Sequence, residues 1–254
     1  MENISLILSD LDGTLFRDDK TISDYTKEII AAAQKKGILF GISTSRARTN
    51  VLNFLDGIKP DVLITNGGGL ATLKGQKIYS CEFTIEETQA LLNAALEIMG
   101  DSGSITIDNE SGLYSNSKEG FSDKFWTYND FKNFSQSCMK LCVQTLDKEK
   151  VSAIVERSGI QGLDTHPFSD IPWFKLSKSG ATKERAIQEL RSNLNIPQEK
   201  IAAFGDDFND IGMLKFCGRG IAMQNAIAEV KQIADEICAS NQEDGVARWI
   251  ERLL

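Results

Sequence analysis

Two short apolar runs, each ending abruptly in a cluster of acids, constrain this chain more than any other feature of its sequence. The first, Ile4 to Ser9, is nearly continuous in hydrophobic residues and runs into Asp10-Leu11-Asp12-Gly13-Thr14. The second, Lys200 to Phe204, delivers Gly205-Asp206-Asp207-Phe208-Asn209-Asp210. Short runs of this kind suit strands buried on both faces, and such strands need helices on either side of a parallel sheet.

The intervening sequence supplies those helices. Ser23 reads as an N-cap, and Ile29, Ile30 and Ala33 mark a helical face that stops at Gly37. A strand is expected from Gly37 to Thr44, a helix from Arg46 to Leu55 and a third strand from Val62 to Thr65, closed by the turn Asn66-Gly67-Gly68-Gly69. The texture then changes. Thr84 to Met99 has one apolar side, short alternating segments span Ser104 to Asp108 and Gly112 to Ser115, and Leu141 to Leu146, Lys148 to Arg157 and Trp173 to Ser177 read as strand, helix and strand. The first texture returns with a helix from Lys183 to Leu194, the second acidic strand end, a strand near Gly220 to Met223 and helices from about Ala226 and from Gly245. The expected fold class is therefore α/β: a Rossmann-like parallel sheet core, residues 1–81 and 177–254, with an inserted α+β domain over 82–176.

Composition narrows the chemistry. With 28 Lys and Arg against 36 Asp and Glu the net charge is −8, which disfavours nucleic acid or an anionic membrane as partner. No stretch is apolar for long enough to span a bilayer, and Met1-Glu2-Asn3-Ile4 lacks the basic start of a secretory signal. Five scattered cysteines without a C-x-x-C read as reduced thiols, so a cytoplasmic protein is expected, monomeric or weakly homo-oligomeric. One histidine, His166, makes a His-based zinc site or a Ser-His-Asp triad improbable. Carboxylates, lysine, hydroxyls or a borrowed ion must then carry any reaction.

Ligands of open α/β sheets bind outside the carboxyl ends of the strands. Asp10, Asp12, Thr44, Asn66, Asp206 and Asp210 all fall at such ends. If the two acidic strands are neighbours, up to four carboxylates converge, and they cannot all stay ionised without a cation. Hard oxygen ligands describe a Mg2+ site. Either cluster alone has an ordinary reading, as a turn or as an acidic helix start. Neither fits a calcium loop: Gly13 comes two positions early, and Phe208 stands where a ligand is needed.

Asp10-Leu11-Asp12-Gly13-Thr14-Leu15 resembles the first motif of the haloacid dehalogenase superfamily of phosphohydrolases. Thr44-Ser45-Arg46 resembles the second, Lys183-Glu184-Arg185-Ala186 the third and Gly205-Asp206-Asp207-Phe208-Asn209-Asp210 the fourth, in the family's order. The insertion between motifs two and three is similar to the type IIB cap of the Cof-type phosphatases. The tail, Ala222-Met223-Gln224-Asn225-Ala226 through Asn241-Gln242-Glu243-Asp244-Gly245-Val246, is similar to that subfamily too. The resemblance implies a Mg2+-dependent phosphatase of a small phosphorylated metabolite. Asp10 would be the nucleophile and Asp12 the acid and base. Asp10, the Asp12 backbone carbonyl, Asp206 and Asp210 would hold or brace the metal, and Thr44, Ser45, Lys183 and Asn209 would take the phosphate. One position departs from the pattern: the family has glycine where Ser45 stands, and serine there would be strained if the backbone φ were positive.

Other residues carry plainer expectations. Arg46, opening a helix, is expected to be solvated, Asn66 with its glycines to line the entrance or simply turn, and His166 to be exposed in a loop. Phe121, Phe125, Trp126, Tyr128, Phe131 and Phe134 are expected to form the core of the insertion. A phosphomutase would use the same motifs, and a metabolite-binding regulator could keep the fold without the chemistry. The complete set of Asp10, Asp12, Lys183 and Asp206 argues against the regulator, since binding alone needs no general acid.

Overall fold

The computed structural model describes residues 4–100, 102–117, 125–168 and 171–254. In chain order its elements are β1 (Leu6–Ser9), α1 (Asp24–Lys35), β2 (Leu39–Ser43), α2 (Arg48–Leu52), β3 (Val62–Thr65), β4 (Leu70–Leu73) and β5 (Gln76–Ser80). Then come α3 (Ile85–Met99), β6 (Ile105–Asp108), β7 (Leu113–Ser115), β8 (Trp126–Tyr128), β9 (Lys140–Gln144), α4 (Lys148–Ser158), β10 (Leu163–Pro167) and β11 (Trp173–Lys178). The chain closes with α5 (Lys183–Leu194), β12 (Ile201–Gly205), α6 (Ile211–Phe216), β13 (Arg219–Ala222), α7 (Ala228–Ile233), β14 (Glu236–Ile237) and α8 (Gly245–Glu251). These elements fall into two compact units, Met1–Arg46 with Asn50–Ser80 and Thr182–Leu254, and Cys81–Ala181 with Ala47–Thr49.

The first unit is built on an eight-stranded sheet in the order β14-β13-β12-β1-β2-β3-β4-β5, parallel from β14 to β3. Every residue of β1 and β12 is buried, as continuous apolar runs require when helices cover both faces. Leu6, Ile7, Leu8, Phe40, Ile42, Ile64 and Phe204 reach no solvent, and truncating one such side chain to alanine costs about 2–5 kcal/mol. Ser23 caps α1 as read from the sequence, its hydroxyl accepting the Thr26 N–H at 3.0 Å. The sequence reading missed β4 and β5, which fold back antiparallel on β3 and cover that edge. It also missed the two-residue β14, and it made the second helix too long: α2 is five residues.

The second unit is a six-stranded sheet in the order β10-β11-β9-β6-β7-β8, antiparallel except for the β7–β8 pair. Its core joins Ile105, Ile107, Leu141, Val143, Phe174 and Leu176 of the strands to Leu91, Leu92, Ala95, Val151 and Ile154 of α3 and α4. Alternation puts Thr106, Asp108, Lys140, Cys142 and Ser177 on the other face. Thr84 and Glu87 form a reciprocal capping box at the start of α3. The aromatic cluster divides. Phe131 and Phe134 are core, whereas Tyr128 is exposed and Trp126 only half-buried, because both stand on the short edge strand β8; Phe121 lies outside the described residues. His166 is exposed as expected, but on β10 rather than in a loop.

Candidate active site

Strand order brings the two acidic loops together. β1 pairs directly with β12, Ser9 beside Phe204, and the Asp10 N–H continues the ladder by donating to the Phe204 carbonyl at 3.0 Å. Past Asp10 the chain makes a tight turn in which Leu15 N–H donates to Asp10 O and Phe16 N–H to Leu11 O. Gly13 stands there at φ +76°, so close to Asp206 that an added Cβ would lie 2.2 Å from its Oδ2. Glycine is required twice over, by the backbone and by the contact. Thr14 Oγ1 then donates to Asp206 Oδ1 at 2.7 Å, tying the first motif to the fourth.

The lysine arrives from a third direction. Lys183 is the first residue of α5, whose N-cap is Thr182. A cation at a helix N-terminus opposes the helix dipole, so something else must favour it there. Lys183 Nζ lies 2.6 Å from Asp10 Oδ1 and 2.7 Å from Asp210 Oδ1, with its side chain 3% exposed. The Asn66–Gly69 turn is neither a gate nor a plain turn: it supports this helix end. At Gly68, φ +103°, an added Cβ would lie 2.1 Å from the Thr182 carbonyl. The same turn holds the second motif, since Asn66 N–H donates to Arg46 O and Gly67 N–H to Thr44 O.

These residues surround a cleft of ≈ 330 Å³ lined by Asp10, Asp12, Thr44, Ser45, Arg46, Lys183, Asp206, Asp207, Asn209 and Asp210, together with Gly13. Every site residue expected from the sequence lines it. Thr44 is buried and its Oγ1 accepts the Arg46 N–H at 3.2 Å. Ser45 is not among the residues with positive φ, so the replacement of the family's glycine imposes no backbone strain. Carboxylate oxygens of Asp10, Asp206 and Asp210 lie within 4.8 Å of one another.

The electrostatics show an excess of negative charge. Burial pushes the Asp10 carboxyl up to about 8, against the pull of Lys183 and with the push of Asp210 and Asp206. Burial pushes Asp206 up to about 6, with Asp210 and Asp207 adding to it and the Thr14 hydrogen bond opposing. Burial also works against the charge on Lys183, but Asp10 and Asp210 outweigh it and hold the ammonium above the ordinary lysine range. Burial raises both carboxyls most, and crowding adds to it: two carboxylates share one ammonium, and a third stands beside them. A hard divalent cation fits such a donor set. Asp210 is the most committed of the three, because Oδ1 takes Lys183 and Oδ2 takes the N–H groups of Asp206 and Asp207. That pattern suits a brace.

Asp12 turns its side chain elsewhere. Arg46 grips it with Nε on Oδ2 at 2.6 Å and Nη2 on Oδ1 at 2.7 Å, and Lys20 Nζ reaches Oδ1 at 2.7 Å. Partial burial raises the Asp12 carboxyl, but these hydrogen bonds and charges outweigh it and leave the group below the usual carboxylate range. The expectation of a solvated Arg46 is thus corrected: its guanidinium also lies over the rings of Phe16 (5.7 Å) and Phe54 (5.0 Å). Packing between rings and a bidentate acid outweigh the hydration available at a helix start. The sequence reading also missed Lys20, Thr14 and Asp207. Thr14 lay within reach, one residue past the glycine turn, whereas nothing local links Lys20 to an acid eight positions earlier.

Comparisons with known proteins agree with this arrangement. The family model of haloacid dehalogenase-like hydrolases matches residues 7–250. The 5-amino-6-(5-phospho-D-ribitylamino)uracil phosphatase YitU of Bacillus subtilis is 29% identical, with 97% of this chain and 96% of that protein aligned. A crystal structure of a haloacid dehalogenase-like hydrolase from Bacteroides thetaiotaomicron superposes with a TM-score of 0.84 at 26% identity, covering 99% of this chain and 100% of that one. The subclass IIB sugar phosphatase BT4131 shares the fold, with a TM-score of 0.79 at 23% identity over 98% of each chain. With four motifs in order on one cleft and a family match over nearly its whole length, this chain belongs to the haloacid dehalogenase-like hydrolases, as a phosphoric monoester hydrolase of the Cof type.

Proposed function

We propose that this protein is a Mg2+-dependent phosphatase of a small phosphorylated metabolite, a sugar phosphate or similar compound, working through an aspartyl-phosphate on Asp10. The observation that carries the reading is Lys183, buried between Asp10 and Asp210 in a cleft that retains surplus negative charge. Lys183 favours the ionised form of Asp10 that attack requires, and the acyl phosphate hydrolyses far more readily than the starting ester. A bound Mg2+ supplies charge neutralisation for the carboxylates and the phosphoryl oxygens.

Asp10 attacks phosphorus, the bond to the ester oxygen breaks and Asp12 gives that oxygen its proton. Water then attacks the acyl phosphate, Asp12 takes the water's proton, and phosphate leaves with Asp10 restored. Lys183, Thr44, Ser45 and Asn209 line the same cleft as Asp10 and would take the phosphoryl oxygens. Asp12 as found, ion-paired with Arg46 and Lys20, is ready for the base half of its role. The acid half requires those cations to turn from Asp12 when an ester occupies the cleft.

The test is phosphate release from a panel of sugar phosphates, polyol phosphates and an aryl phosphate, with and without a chelator. The panel includes the phosphoribitylamino-uracil that YitU's name carries. Mg2+-dependent release from one or more members is expected. Full activity in metal-free buffer would falsify the metal requirement, and conversion to an isomer without phosphate release would make the protein a mutase.

A further inference from the structure

The geometry points to Asn225 as a positioning residue of the phosphoryl-transfer centre, tying the loop that carries Asp12 to the strand end that carries Asp206. The inference rests on the metal-dependent phosphatase reading above. The segment after β13 runs past both acidic loops. Met223 N–H donates to Gly205 O at 3.1 Å, and Ile227 N–H donates to Asp206 O at 3.0 Å. Between these two anchors the Asn225 side chain reaches across, and its Nδ2 donates to the Gly13 carbonyl at 2.7 Å. One five-residue segment therefore holds the backbone of Asp206 and the backbone of Gly13 at once.

The amide is itself held. Asn225 Oδ1 accepts the Asn241 N–H at 3.0 Å, which settles that the nitrogen end faces Gly13. Asn241 is buried, and its Nδ2 donates to Phe16 O and to Asp18 Oδ1, both at 3.0 Å. The two tail segments that the four motifs leave unexplained, around Asn225 and Asn241, thus converge on the loop between Gly13 and Asp18. Gly13 has no side chain with which to anchor itself, and it lies in contact with Asp206. The buried Thr14 fixes the loop to the Asp206 side chain, and the exposed Asn225 fixes it at the Gly13 carbonyl.

Asn225 is exposed, so water can replace its hydrogen bond to Gly13 with little loss of stability. Water cannot replace the alignment. The Gly13 carbonyl follows directly on the Asp12 peptide, and a small rotation there moves the Asp12 side chain and carbonyl together. Partners of this kind, one step behind the groups that act, typically change metal affinity or turnover by about 10–100-fold when removed.

The experiment compares Asn225→Ala and Asn225→Asp with the wild type in three measurements: Mn2+ binding by electron paramagnetic resonance without substrate, kcat and KM on the best substrate, and thermal melting. Asn225→Asp keeps an acceptor for the Asn241 N–H but sets a carboxylate oxygen against the Gly13 carbonyl. Both variants should melt close to the wild type, keep its KM and lose roughly tenfold in kcat, and Asn225→Ala should bind Mn2+ roughly tenfold more weakly. Wild-type kcat in Asn225→Asp would show that the bond to Gly13 positions nothing and would overturn the inference. Wild-type Mn2+ affinity in Asn225→Ala would overturn it as well. Weakened Mn2+ binding in Asn225→Ala, beside a wild type that releases no phosphate from any substrate, would uphold the inference and overturn the phosphatase reading.

Discussion

Each of the two units buries a lysine against aspartate, and the two arrangements differ in their arithmetic. In the inserted unit, Lys140 Nζ lies 2.8 Å from Asp108 Oδ2, with side chains 10% and 5% exposed. The two residues stand directly opposite on the neighbouring strands β9 and β6. Burial works against the charge on Lys140, but Asp108 outweighs it and holds the ammonium above its ordinary range. The pair lies on a sheet face that also carries Cys142 and Lys175. In the first unit Lys183 meets Asp10 and Asp210 with Asp206 adjoining, and the carboxyls of Asp10 and Asp206 are driven upward. A lysine set directly opposite its carboxylate on a neighbouring strand joins the two strands of the sheet. An unbalanced cluster at the ends of parallel strands retains a demand for positive charge, which a bound metal ion would answer.

Three measurements would break or sharpen this contrast. The largest effect is expected from Asp10→Asn, which removes the proposed nucleophile and one of the excess carboxylates together. Phosphate release should fall by roughly four orders of magnitude, while melting in metal-free buffer stays at or above the wild-type temperature. Near-normal turnover would replace covalent attack with direct attack by water.

The second measurement concerns the pair in the insertion. Lys140→Met strands Asp108 in the insertion and should cost about 3–5 kcal/mol in urea denaturation. Lys140→Met with Asp108→Leu should recover most of that loss, because two apolar groups on the same sheet face leave no charge uncompensated. A double variant as unstable as the single would show that the pair does more than neutralise itself.

The smallest effect is a shift in melting temperature. Asp10 and Asp206 ionise later in the folded chain than in the unfolded one, so the folded state holds extra protons from the ordinary carboxylate range up to about 6 for Asp206 and about 8 for Asp10. Stability of the metal-free protein from these groups is therefore fully present below that range and lost as pH rises through it. Mg2+ relieves the repulsion, so its stabilising shift should be larger near pH 8 than near pH 5. Equal shifts at both ends would separate the metal from this cluster.

Legibility in the sequence followed locality. The buried strands β1, β2, β3 and β12 were readable because an apolar run of four to six residues ending in a polar one has few other uses. Caps at Ser23 and Thr182 sit where helices begin. The short strands β5, β8 and β10 were not readable, since exposed or half-buried edge strands carry weak alternation and take their structure from the strand beside them; the buried four-residue β4 between β3 and β5 was missed as well. Among site residues, Asp10, Asp12, Thr44, Ser45, Lys183, Asp206, Asn209 and Asp210 follow from motifs at strand and helix ends. Arg46 reaches Asp12 with its guanidinium over the rings of Phe16 and Phe54, Lys20 reaches it from eight positions further on, and no spacing rule announces such contacts.

What the sequence determined by itself was the order of its buried strands and main helices, an interruption expected over residues 82–176, and the kinds of group at each strand end, because backbone propensity and burial act over a few residues. Tertiary structure decided which ends meet. The pairing of β1 with β12 sets Asp10 and Asp206 in one cleft although 196 positions of sequence (206 − 10) separate them. The Gly68 turn beneath α5 brings a lysine into their midst, and Asn225 joins the two loops. Charge excess is a property of that convergence: no residue carries it alone, and only the packing of distant segments at close range turns three ordinary aspartates and one lysine into a site with a demand for a cation.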